Sequence, residues 1–107
     1  MEEDTLNLGG IIELSGFKNL DRATMTIVKK IVGNYARKLS DSIQGFEKVS
    51  INLKQVHGES QTEKGSFEIN AKVIIEGNPV MASVSSHNLF IGLDEALKKV
   101  EKQIMKD

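Results

Sequence analysis

The segment "SFEINAKVIIEG" constrains the fold more than any other part of the chain. Phe67, Ile69, Ala71, Val73 and Ile75 recur in strict period two, with Glu68, Asn70 and Lys72 between them. Successive side chains of a strand point to opposite faces, so this spacing predicts a strand with one apolar and one polar side. A sheet of such strands buries one face only, and amphipathic elements must cover it. Two stretches supply that cover. Met25, Val28, Ile31, Val32, Tyr35, Leu39 and Ile43 gather on one side of a helix over about 22–44, with Asp21 as its N-cap and Gly45 as its stop. Phe90, Leu93, Leu97, Val100 and Ile104 form the stripe of a second helix after Asn88.

Three further alternations complete the pattern: Ile12 and Leu14 in "IIELSGF", Val49, Ile51 and Leu53 in "EKVSINLKQV", and Val80, Ala82 and Val84 in "VMASVSS". "GESQTEKG" reads as a polar turn region, and Gly77-Asn78-Pro79 as a tight turn. The expected fold is therefore α+β in the order β-α-β-β-β-α, a four-stranded sheet with both helices on one face. The first strand reaches the second through a helical crossover, so those two run parallel if adjacent, and the others follow as antiparallel hairpins. Residues 1–9 read as a flexible acidic tail and 10–107 as a single domain, which suits a chain of 107 residues.

Composition removes several classes of function. No apolar run approaches the length of a membrane span. The acidic start "MEEDTLNLGG" lacks the basic and apolar features of a secretory signal, which points to the cytoplasm. Cysteine is absent, so there are no disulfides and no thiolate metal sites. His57 and His87 lie thirty positions apart and read as surface or hydrogen-bonded residues. Glu68 and Glu76 occupy the polar side of a strand and read as solvated, and no Gly-rich phosphate loop occurs. No enzymatic activity, cofactor, metal or small-molecule substrate is expected.

Charge placement is more informative. The stretch Arg22–Ser40 carries five basic residues and no acid, whereas the rest of the chain holds nine basic and fifteen acidic residues. Arg22 and Lys29 fall on nearly one line of the helix, Lys30 and Arg37 about a quarter turn further round, and Lys38 at the opposite margin. A solvated helix normally mixes signs, because pairs four residues apart support it. Gly33 lies on the same side, where a missing side chain lets a phosphate backbone approach. In the second helix Lys99, Lys102 and Lys106 share a polar flank, with Glu95 at its beginning. If the helices lie side by side, these residues form one basic surface, suited to phosphates rather than to bases.

The closing segment "PVMASVSSHNLFIGLDEALKKVEKQIMKD" resembles the ribosome hibernation-promoting factor family, also described as ribosomal subunit interface or sigma-54 modulation proteins. Members show a small-residue strand, a polar break, an aromatic and then a basic helix. Ala82-Ser83-Val84, Phe90, Leu93-Asp94 and "KKVEKQIMK" are similar to those features, and Lys99, Lys102, Gln103 and Lys106 fall on family positions. "IELSGF" is similar to the family's opening strand, and Lys29 and Lys38-Leu39 match positions in its first helix. The resemblance covers about residues 11–106. It implies a fold reminiscent of double-stranded-RNA-binding domains and binding to small-subunit rRNA in the channel of mRNA and tRNA. It further implies inhibition of translation and protection of idle ribosomes, without chemistry.

Departures from the family are equally specific. Arg22, Lys30 and Arg37 have no family counterpart, so their assignment follows from charge alone. Longer members carry a C-terminal domain that pairs two ribosomes, and some short ones a basic tail; this sequence shows neither, so pairing of ribosomes by it is not expected. Ser85-Ser86-His87-Asn88 replaces a more acidic break, leaving Asn88 or Ser86 as the second helix cap. A homodimer through the solvent-facing side of the sheet has no nominated patch. A general double-stranded-RNA module acting off the ribosome is the alternative function for the same surface.

Overall fold

The computed structural model describes residues 5–56 and 65–105. Its elements are β1 (Thr5–Leu8), β2 (Ile12–Ser15), α1 (Arg22–Ser42), β3 (Phe46–Val56), β4 (Ser66–Ile75), β5 (Asn78–Ser86) and α2 (Leu89–Ile104). Both helices begin as their sequences dictate. The Thr24 amide donates to Asp21 Oδ1 at 3.1 Å, and the Ile91 amide to Asn88 Oδ1 at 3.0 Å. Each cap satisfies a first-turn donor that has no partner within its helix. Ser86, the other candidate cap, instead accepts from the Asn88 amide at 3.1 Å and so supports the cap.

The strands form one sheet in the order β1-β2-β3-β4-β5. β2 and β3 pair in parallel across the α1 crossover, and every other pair is antiparallel. Register carries the core straight across: Leu14 lies beside Ile51, Ile51 beside Ala71, and Ala71 beside Ala82. Val28, Val32 and Leu39 of α1 and Leu93, Ala96, Leu97 and Val100 of α2 pack onto that face and are almost wholly buried. Each such Leu or Val contributes roughly 1.5–3 kcal/mol through burial. One apolar face and two amphipathic helices therefore close a single core.

The opposite face is open and polar. Glu13 on it accepts from Ser50 Oγ at 2.8 Å and from Lys48 Nζ at 3.1 Å. Those two donors, the Ser50 hydroxyl foremost, hold its carboxyl below the usual carboxylate range. Among the described residues no helix is long and apolar enough to cross a membrane.

Three expectations are corrected. The sheet has five strands, not four, because Thr5–Leu8 pairs with β2. That stretch is accordingly an edge strand rather than part of a flexible tail; residues 1–4 lie outside the described residues. Gly9 and Gly10, at φ of +64° and +80°, turn the chain back in a way that side chains disfavour. The β4–β5 turn is Glu76-Gly77, with φ of +50° and +80°, and not Gly77-Asn78-Pro79. Positive φ at both central residues gives the twist that a two-residue hairpin requires. Glu47 Oε2 clamps the turn by accepting from the Gly77 amide at 2.7 Å. Pro79 then sits in the edge strand β5, a position that tolerates its missing donor.

Candidate nucleic-acid interface

α1 lies over β2 and β3, and α2 over β4 and β5. Their outward surfaces hold the cations singled out by sequence. On α1, Arg22, Lys29, Lys30 and Arg37 are exposed, and among the described residues none of them forms an ion pair. Lys29, Lys30 and Arg37 stand four before, three before and four after Gly33, the spacings that make neighbours on a helix surface. The position of a Gly33 Cβ has no atom within 4 Å. The result is a bare patch of helix backbone ringed by three cations, with Arg22 extending it toward the N-terminus.

This arrangement opposes what the helix itself favours. Apart from the Asp21 cap, which suits the dipole, Arg22 is the one charge of the first turn, and no basic residue lies in the last turn. A helix dipole favours the reverse on both counts, by roughly 0.3–1 kcal/mol per charge at an exposed end. Gly33 adds a further cost of about 1 kcal/mol relative to Ala. Helix stability does not account for these choices.

Lys38 behaves differently. Its Nζ is 2.6 Å from Glu101 Oε2, a side chain only 17% exposed, and 5.9 Å from the centre of the Tyr35 ring. Beside it the Tyr35 hydroxyl donates to Asp94 Oδ1 at 3.0 Å, and Lys98 pairs with Asp94 Oδ2 at 3.0 Å. Burial first, and the Asp94 carboxylate second, push the Tyr35 hydroxyl up to about 12. Asp94 is held below the usual range, chiefly by the Lys98 ammonium and then by the Tyr35 hydroxyl. The junction of the two helices is thus a balanced seam of acids, lysines and one tyrosine.

That seam corrects the expectation of one shared cationic strip. Gln103 Nε2 donates to the Met81 carbonyl of β5 at 2.9 Å, which fixes that flank of α2 over the sheet edge. Lys99, one turn earlier, projects on the same flank, away from α1. Lys102 faces outward between that flank and the seam. Both lysines are exposed and unpaired among the described residues, whereas Lys106 lies outside them. The structure brings Arg22, Lys29, Lys30 and Arg37 together, sets Lys38 in the seam, and separates Lys99 and Lys102 from the rest.

The groups considered for chemistry are dispersed. His87 Nδ1 is 2.8 Å from the Gly65 carbonyl and so carries its ring proton there. His57 lies outside the described residues. Among the described residues no three His, Asp or Glu side chains come together as a metal site would require.

The fold is of a recognised α+β class, with a helical crossover between two parallel strands and two helices on one face of the sheet. It is similar to the crystal structure of the Thermus thermophilus Protein Y N-terminal domain, with a TM-score of 0.55 at 16% sequence identity. The alignment covers 92% of this chain and 96% of that domain. No protein-family model matches the sequence, and no curated protein matches it.

Proposed function

We propose that the chain is a ribosome-associated hibernation factor, which inhibits translation by lying along rRNA of the small subunit and occluding the channel of mRNA and tRNA. The observation that carries this reading is the exposed α1 surface, where three cations ring a bare stretch of helix at Gly33 and Arg22 extends the row. The likeness of the fold to the Protein Y N-terminal domain supports it, as does the resemblance of the α2 segment to the hibernation-promoting factor family. Affinity arises from counterion release as Lys and Arg neutralise phosphates, and selectivity from the shape of folded RNA. The protein acts where ribosomes are, in the cytoplasm, without a cofactor and without catalysing a reaction.

Sedimentation with purified small ribosomal subunits tests this. The protein is expected to travel with the subunit through a sucrose gradient at low salt and to dissociate as salt rises. If it stays at the top of the low-salt gradient, the proposal fails. Excess plain RNA duplex separates a ribosome factor from a general duplex-binding module: a ribosome factor loses little to it, a general module most of its binding.

A further inference from the structure

An apolar groove of about 330 Å³ opens between β1 and the start of α1, beside the cationic surface. Leu14 and Phe17 form its floor, Leu20 and Met25 one wall, and Leu6, still 39% exposed, the outer lip. Lys18 and Lys29 stand at its rim, exposed and without an ion-pair partner among the described residues. The Thr5 side is the remaining polar boundary. An apolar hollow with two cations at its mouth suits a ligand with a flat apolar body and an attached anion.

We infer that this groove takes one unpaired nucleotide of the bound RNA, its base against Leu6, Leu20 and Met25 and its phosphate between Lys18 and Lys29. The inference rests on the rRNA-binding reading above and gives it a specificity element. Lys29 is the link, since it belongs both to the α1 cation row and to the groove. A phosphate held on α1 at Lys29 therefore has its own base within reach of the hollow. Because the lining is apolar, the groove accepts any base and discriminates by structure: plain duplex keeps its bases stacked and has none to offer, whereas a bulge or loop does. This supplies a physical reason for a shape-reading protein to prefer folded rRNA to regular helix.

The test uses two blunt RNA duplexes of equal length, one carrying a single bulged 2-aminopurine, at low salt. The wild type is expected to bind the bulged duplex about five- to tenfold more tightly, the scale of one apolar base contact, and to change the fluorescence of the probe. Leu6→Asn leaves charge unaltered and is expected to abolish that preference while keeping plain-duplex affinity within about twofold. Lys18→Gln should cost about threefold on the bulged duplex alone. Equal binding of the two duplexes by the wild type, or a preference that survives Leu6→Asn, overturns the groove and leaves the α1 surface standing. Binding of neither duplex together with no small-subunit association removes both.

Discussion

The two helices share a core and a length scale, yet their charges follow opposite logic. In α2, Asp94, Glu95 and Glu101 balance Lys98, Lys99 and Lys102, Asp94 and Lys98 pair four residues apart, and Lys102 sits in the last turn as the dipole favours. In α1, five cations face a single acid, Asp41, and the terminal placement runs against the dipole. A residue whose position stabilises its own helix says little about partners. One that costs its helix stability points outward. We therefore assign the proposed RNA contact chiefly to α1 and give α2 an auxiliary part, although the family resemblance is carried most strongly by α2.

Charge reversal breaks this comparison most sharply. Lys29→Glu with Arg37→Glu is expected to weaken small-subunit binding by roughly a hundredfold or more at low salt, whereas Lys99→Glu with Lys102→Glu costs about tenfold or less. Circular dichroism should show both variants folded, since all four residues are exposed. Equal losses would return the two helices to one shared surface. Gly33→Ala comes next: it should stabilise α1 by up to about 1 kcal/mol in urea denaturation, yet weaken binding several-fold, because a methyl group enters the close-approach patch. Improved binding would mean that Gly33 is not approached.

The seam offers two smaller effects. Glu101→Gln releases Lys38 from its carboxylate and should tighten RNA binding by about threefold; an unchanged affinity would exclude Lys38 from the surface. Tyr35→Phe removes the hydrogen bond to Asp94 and should cost about 1 kcal/mol at neutral pH, without altering RNA affinity. Its pH signature has a definite sign. The Tyr35 hydroxyl titrates at about 12 in the folded chain rather than at 10.0, so its contribution is complete below pH 10 and is lost as pH rises through 12. The stability difference between wild type and Tyr35→Phe should shrink over that window and be constant below it.

Local patterns in the sequence were sufficient for most of the fold. Alternation located β2, β3, β4 and β5, and helical stripes located α1 and α2; Asp21 marked the start of α1, and of the two candidates for α2, Asn88 and Ser86, the cap is Asn88. β1 escaped because only Leu6 and Leu8 alternate there, next to an acidic start; Gly9-Gly10 ahead of Ile12 was the available hairpin signal. The Glu76-Gly77 turn was obscured by Pro79, which reads as a turn residue but is equally at home in an edge strand. The candidate surface was legible on α1, where one helix sets the relative directions of its own side chains. It was not legible between helices. Tyr35–Asp94 and Lys38–Glu101 join residues far apart in sequence, and the direction of Lys99 depends on which flank of α2 lies over β5. No periodicity encodes either.

The most direct test of the α1 surface is the salt dependence of small-subunit binding, measured for the wild type and for Lys29→Gln with Arg37→Gln. The wild type should show a linear fall of log affinity with log salt, of slope about −3 or steeper, as expected when four or more cations neutralise phosphates. The variant's slope should be shallower by about two. A slope that both proteins share would contradict the assignment of RNA phosphates to α1.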